Sequence, residues 1–222
     1  MPRHSERNLY TALHSPIHFN IAYRSAKENS VNPDNAIVAI VFSAAGIETF
    51  MNDLSHISGD RGVEGDHNVE VVAFSNMSSD LEKSRANVMS QIQILGAVFT
   101  GKPFTRGSGF LQETNLLIKL RNELLHARPD VVCGSNEIEA SGTKKVERIL
   151  QQLSDRGLIE RRNRQYTQWA RMICTGEVAK WSYCTAIEVV EEISSVLPRS
   201  GMLQYCEHVL ANESGRKDSL CE

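Results

Sequence analysis

The sequence predicts an all-α protein, a bundle of about five to seven helices with a long central pair. Apolar residues recur at helical spacing along most of the chain, and Pro, Gly and capping residues separate these stretches. No series of alternating apolar and polar residues indicates a sheet. The predicted organisation is one domain over residues 1–210 and a flexible C-terminal tail at 211–222.

The first two predicted helices have clear start signals. A helix over residues 17–28 begins after Pro16, which suits a first turn. The Asn-Pro-Asp sequence at residues 32–34 is a typical helix start, with a capping amide and an acid at the positive end of the dipole. The stretch 36–54 that follows is apolar nearly all round, which predicts a helix buried on most sides.

A loop with glycines at residues 55–68 precedes a long amphipathic helix predicted over residues 74–99. Its apolar residues are spaced by 3, 4, 7, 4, 3 and 4 positions. A capping box from Ser79 to Glu82 marks a candidate start. The Thr-Gly-Lys-Pro sequence at 100–103 predicts its end.

Three further helices complete the predicted bundle. They cover residues 111–128, 144–156 and 176–197. Pro129 stops the first of them, Thr175 caps the last, and Pro198 closes it.

Composition excludes some classes of protein and favours a cytoplasmic location. The net charge of −3 is not typical of a nucleic-acid-binding protein, so any contact with nucleic acid requires a local basic patch. Five cysteines without a CxxC pair predict free thiols rather than a zinc site or a disulfide framework. The N-terminus does not resemble a signal peptide, and we expect no membrane span.

The most informative segment is residues 120–126, with the sequence Leu-Arg-Asn-Glu-Leu-Leu-His. Asn122 and His126 are four apart and share a helix face, while Arg121 is offset by about 100°. Its long side chain is expected to reach the same rim. The segment therefore places a permanent cation, an amide and a titratable imidazole at the end of one helix.

These groups suit the cleavage of RNA, in which the 2′-hydroxyl attacks the adjacent phosphorus. His126 is a candidate general acid or base, Arg121 a candidate ligand of the phosphate, and Asn122 a candidate orienting group. From spacing alone, a histidine that merely caps helix carbonyls is the more common case.

Three segments of the chain resemble the HEPN superfamily. Residues 120–129 resemble the LRN-x-x-x-H-x-x-P form of its signature. Residues 44–54 resemble its buried helix, with Glu48 and Asn52 in the family pattern. Residues 175–186 resemble the last helix of some bacterial members, and together the segments span about half of the chain in the expected order.

The resemblance implies a HEPN-like bundle, a homodimer with a composite site, and metal-independent endoribonuclease activity without a cofactor. It assigns catalytic roles to Arg121, Asn122 and His126, with Glu48 and Arg128 as supporting candidates. The alternative for Glu48 is a buried carboxylate paired with an arginine or an amide. Family members include toxins and antiviral effectors, some with a nucleotidyltransferase antitoxin. A non-catalytic HEPN-like module that binds RNA or a protein remains the alternative function.

Residues 144–171 form a basic segment, with eight basic against three acidic side chains. One interpretation is a helix-loop insertion that guides RNA phosphates, with Arg161, Arg162 and Arg164 as candidate contacts. The alternative is that this segment is a solvent-exposed helix and loop without a binding function. A winged-helix DNA binder is a third, although residues 130–143 are too short and polar to supply its preceding helices.

Overall fold

The computed structural model describes residues 13–59, 68–84, 86–105, 107–126, 141–160 and 169–221. Within these ranges the chain forms nine helices and no strand, which confirms the all-α class and exceeds the predicted number of helices. The helices are α1 Ser15–Lys27, α2 Asn35–Gly59, α3 Val69–Lys83, α4 Val88–Thr100, α5 Gly109–Leu125, α6 Ser141–Asp155, α7 Trp169–Met172, α8 Gly176–Val196 and α9 Gly201–Cys221. Their buried apolar side chains form one core cluster.

Helix α2 is the centre of the bundle and packs most extensively against α1 and α8. Ile47 and Phe50 are fully buried, as its apolar sequence predicts. Gly46 permits the close approach of α1, because a Cβ atom there would lie 2.5 Å from Cε1 of Phe19. This contact allows α1 to lie close along one face of α2.

By length and composition alone, α2 is also apolar enough to cross a membrane, contrary to the expectation of no such segment. Within the described residues it is the one helix that meets this test, and 56% of its most apolar window is buried inside the protein. Helices at the centre of a bundle have the same composition, because neighbouring helices surround them.

The predicted capping signals of α2 and α8 are confirmed. The side chain of Asn32 accepts a hydrogen bond from the backbone N–H of Asp34 at 3.1 Å, just before α2. The hydroxyl of Thr175 accepts one from the backbone N–H of Val178 at 3.1 Å. Each bond satisfies a backbone donor that the helix itself leaves without an acceptor.

The single long helix predicted over residues 74–99 is wrong, because the chain forms α3 and α4 with a break between them. The backbone N–H of Ser84 donates to the carbonyl of Asp80 and ends α3. The side chain of Asn87 then accepts from the N–H of Ser90 at 2.9 Å and starts α4. The gap of seven between two apolar positions fits a continuous helix as well as two helices in sequence.

The start predicted at Ser79 is also wrong. Helix α3 begins at Val69, where the side chain of Asn68 accepts a hydrogen bond from the N–H of Glu70 at 2.8 Å. Ser79 and Glu82 lie inside α3. The predicted stop is confirmed, since α4 ends at Gly101 in the left-handed conformation with φ 75°.

The flexible tail predicted at 211–222 is wrong for residues 211–221, which belong to α9. Glu213 is 1% exposed. It accepts hydrogen bonds from the hydroxyl of Tyr183 at 2.7 Å and from Arg216 at 2.6 Å. This buried polar contact fixes the second half of α9 against α8.

A second polar contact fixes the first half of α9 to the centre of the bundle. Asp53 on α2 accepts from the hydroxyl of Tyr205 at 2.6 Å and from the backbone N–H of Ser15 at 3.1 Å. Burial and the neighbouring carboxylate raise the pKa of Tyr205 well above its ordinary value, so the phenol stays a donor. These bonds join α1, α2 and α9.

Candidate functional site

Arg121 lies on the inner side of α5 and faces α2. Its side chain is 16% exposed, and its Nη2 donates to Oε1 of Glu48 in an ion pair. Its Nε–H is buried and has no hydrogen-bond acceptor among the described residues. A buried donor without an acceptor costs about 1–3 kcal/mol, and such groups in native structures call for an explanation such as a catalytic role or an absent ion.

Glu48 is 41% exposed, so the pair lies at the edge of the core rather than inside it. The alternative interpretation of Glu48, a carboxylate paired with an arginine, agrees with this contact except for the degree of burial. The guanidinium is therefore held in one direction by a carboxylate while part of its donor set is unused.

Asn122 and His126 lie at the opposite, outward side of α5. The helix ends at Leu125, and the backbone N–H of His126 donates to the carbonyl of Asn122 at 3.0 Å. His126 is exposed and Asn122 is half-buried. The imidazole therefore lies at the C-terminal end of α5, next to the last carbonyl groups of the helix.

The structure thus brings together two pairs of predicted residues, but not all of them. Helical geometry turns the side chain of Arg121 away from Asn122 by about 100° and from His126 by about 140°. The expectation that Arg121 reaches the same rim stays a prediction, since its guanidinium is paired with Glu48 on α2 at the edge of the core. Arg121 and His126 of one chain face different directions.

Helix α6 lies beside this end of α5. Nζ of Lys145 on α6 pairs with Oε1 of Glu123 at 2.5 Å, and Glu123 is the neighbour of Asn122. At the other end, Nη2 of Arg156 lies 2.7 Å from Oε1 of Glu113. The two ion pairs hold α6 along α5 in an antiparallel direction.

Glu113 also joins α8, because Nε1 of Trp181 donates to its Oε2 at 2.8 Å. Burial by itself raises the pKa of Glu113. The hydrogen bonds from Arg156 and Trp181 and the charge of Arg156 outweigh burial, so the pKa lies below its ordinary value. No short sequence motif marks Glu113, and we did not predict its role.

Several predicted residues of the basic segment serve internal contacts. Besides Arg156, Arg171 pairs with Asp34 at 2.7 Å. Arg148 is exposed. The remaining candidates lie outside the described residues, namely Arg128, Arg161, Arg162 and Arg164.

The described residues contain no group of three or more metal-ligating side chains. His18 uses Nδ1 in a hydrogen bond to the hydroxyl of Thr49 at 2.8 Å. Cys174 and Cys206 are free thiols, as predicted, whereas Cys184 is disulfide-bonded, so the prediction of free thiols is wrong at that position.

Comparisons with protein-family models, with curated proteins and with solved structures find no match to this chain. A functional proposal therefore depends on the geometry at the end of α5 and on the motif that the sequence carries there.

Proposed function

We propose that this protein is a metal-independent endoribonuclease of the HEPN type. The observation that carries the proposal is the guanidinium of Arg121. It is held by Glu48, its buried Nε–H has no acceptor among the described residues, and it lies near the same end of α5 as Asn122 and His126. An anionic group such as an RNA phosphate supplies the acceptor that the donor lacks.

The reaction requires two proton transfers and the stabilisation of charge. The 2′-hydroxyl loses its proton to a base and bonds to phosphorus, and the 5′-oxygen leaves and takes a proton from an acid. The products are a 2′,3′-cyclic phosphate and a 5′-hydroxyl. In this proposal the imidazole of His126 acts as the acid, Arg121 stabilises the extra charge on the phosphoryl oxygens, and Asn122 orients the phosphate.

A second copy of the chain completes this proposed site. One chain offers a single motif imidazole, whereas the reaction needs both a base and an acid. Arg121 and His126 of one chain also face different directions, which supports a site assembled from two chains. In such a homodimer the second His126 supplies the other proton transfer.

The setting of the enzyme is part of the proposal. A ribonuclease that acts on cellular RNA suits a cytoplasmic toxin or an antiviral effector, and a nucleotidyltransferase-type antitoxin is the proposed restraint. The alternative is a HEPN-like module that binds RNA or a protein without cleavage. The divergence of Arg121 from His126 in one chain favours this alternative if the chain acts as a monomer.

The test is cleavage of single-stranded RNA in EDTA, with end-group analysis of the products. We expect the wild type to release 2′,3′-cyclic phosphate ends, and His126→Ala to be slower by about 100-fold or more. His208→Ala, which removes an exposed imidazole on α9, is the matched control and should retain activity. Equal cleavage by wild type and His126→Ala, or cleavage only with Mg²⁺, contradicts the proposal.

Binding of RNA by the wild type without cleavage supports the non-catalytic module instead. Binding of duplex DNA that is lost on neutralising Arg161, Arg162 and Arg164, with Arg121 irrelevant, supports the winged-helix alternative.

A further inference from the structure

The register of α5 and α6 is fixed by their two ion pairs. Glu123 and Glu113 on α5 are separated by about 15 Å along the helix, and their partners Lys145 and Arg156 by about 17 Å along α6. Because the two lengths agree, α6 runs beside α5 in the opposite direction over this whole distance. Buried residues of α6, Ile149, Leu150 and Leu153, join it to the core.

This register places two cations at the same level of the bundle. Arg148 lies one turn beyond Lys145 on α6, which is level with the turn of α5 that carries Lys119 and Asn122. Lys119 and Arg148 are both exposed. Within the described parts of the chain, neither forms an ion pair.

Lys119 also shares the outward face of α5 with the motif residues. It precedes Asn122 by three positions and His126 by seven, so the three side chains project within about 60° of one another. The spacing of Lys119 from the motif residues is visible in the sequence, whereas its common level with Arg148 depends on the packing of α6 against α5.

We propose that Lys119 and Arg148 bind the RNA backbone as it enters the end of α5, contacting phosphates next to the one that is cleaved. The inference rests on the proposed function and identifies the substrate contacts of that site. Lysine and arginine bind phosphates through charge and hydrogen bonds, and such contacts carry much of the affinity for nucleic acid.

The neighbouring acids do not oppose this path. Glu123 is only 18% exposed and is neutralised by Lys145, which is itself 60% exposed toward the same side. Glu147, beside Arg148, already has an interaction partner. With Glu123 paired to Lys145, the exposed cations Lys119 and Arg148 outnumber the exposed acid Glu147 at this level, in a protein whose net charge is −3.

The test measures binding of a fluorescent single-stranded RNA oligonucleotide by anisotropy, in a His126→Ala background that does not cleave it. Each phosphate contact to a single strand contributes about 0.7 to the slope of log affinity against log salt. We expect Lys119→Gln and Arg148→Gln each to lower that slope by about 0.7, and the double variant by about 1.4. Lys180→Gln, an exposed lysine on α8, should leave the slope unchanged.

A kinetic measurement separates this inference from the proposed function. In an otherwise wild-type chain, the double variant should raise KM while kcat is retained. If the wild type cleaves RNA and the double variant keeps both its KM and its salt slope, the inference is wrong and the proposed function stands. If the wild type neither cleaves nor binds RNA, the proposed function fails, and the inference fails with it.

Discussion

Arg121 combines a structural contact with a proposed chemical role. A guanidinium that is 16% exposed needs a counter-charge, and Glu48 provides it from α2. The carboxylate also fixes the direction of the guanidinium, so that its unused donor has a defined position. Glu48 is thus a positioning residue for the proposed reaction, because it acts through Arg121 and not on the substrate.

We expect Glu48→Ala to lower kcat for RNA cleavage by about 10- to 100-fold with little change in KM, because a misplaced catalytic group loses transition-state contacts. Glu48→Gln keeps a hydrogen-bond acceptor and should lie between Glu48→Ala and the wild type. The loss of stability should be about 1 kcal/mol or less, since Glu48 is partly exposed. Steady-state kinetics and thermal unfolding measure the two effects.

Asp34→Asn is the matched control for this prediction, because it removes another acid of an arginine pair, just before α2. It should leave kcat unchanged. A Glu48→Ala variant with wild-type kcat, or one whose lost activity only follows lost folding, would show that the pair has no positioning role.

The sequence indicated Arg121 and Glu48 as candidate site residues, but it did not indicate the direction of the Arg121 side chain. Glu48 was a supporting candidate, and pairing with an arginine was one of its alternatives. The direction of Arg121 was not predictable, because its long side chain has many rotamers and its partner is 73 residues away. Only the packing of α5 against α2 selects one of these directions.

Among the helices, α2 and α8 were predicted from their start signals. The local caps of α3 and α4 at Asn68 and Asn87 were missed, and so were the distant contacts of α9. The side chains of Asn32 and Thr175 accept hydrogen bonds from backbone N–H groups only two and three residues further along the chain. Such local signals can be recognised in the sequence alone.

Helix α9 was not predicted, since residues 201–210 were assigned to no helix and residues 211–222 were expected to be a flexible tail. What holds its second half is the buried carboxylate of Glu213, which is bonded to Tyr183 on α8. A segment rich in polar residues gives no sign of such a contact.

The contact between α5, α6 and α8 at Glu113 predicts a pH dependence of stability. The folded-state pKa of Glu113 lies below its ordinary value of about 4.5, because bonds from Arg156 and Trp181 favour the carboxylate. Its contribution is therefore complete above pH 4.5 and is lost as the pH falls through the lowered pKa. Chemical denaturation should show wild-type stability falling in this acidic range.

Glu113→Gln should reduce the free energy of unfolding at pH 7 by about 1–2 kcal/mol and weaken its dependence on pH below 4.5. Asp80→Asn is the control, because the pair of Asp80 with Lys83 is almost fully exposed and should contribute little. If the free energy of unfolding of Glu113→Gln falls below pH 4.5 as steeply as that of the wild type, protonation of this carboxylate is not coupled to folding.

In the whole molecule, the all-α class followed from sequence periodicity, while the arrangement of the helices did not. Helix α2 lies at the centre, and α1, α5 and α8 surround it. This arrangement turns Arg121 inward to Glu48 and leaves His126 at the surface, where a second molecule can approach it. In the proposed composite site, one chain contributes these residues and a second chain contributes the same residues again.

If the proposed composite site forms, His126→Ala should interfere with the wild type inside mixed dimers. When the two chains are coexpressed with separate tags at about one wild-type chain to three variant chains, random pairing leaves about one sixteenth of the dimers fully wild type. RNA cleavage should then fall well below the one quarter expected for independent chains, because mixed dimers lack one imidazole. Coexpression with Lys180→Gln should keep full activity. Activity in strict proportion to the wild-type fraction, or an active species that sediments as a monomer, would show that one chain contains the whole site.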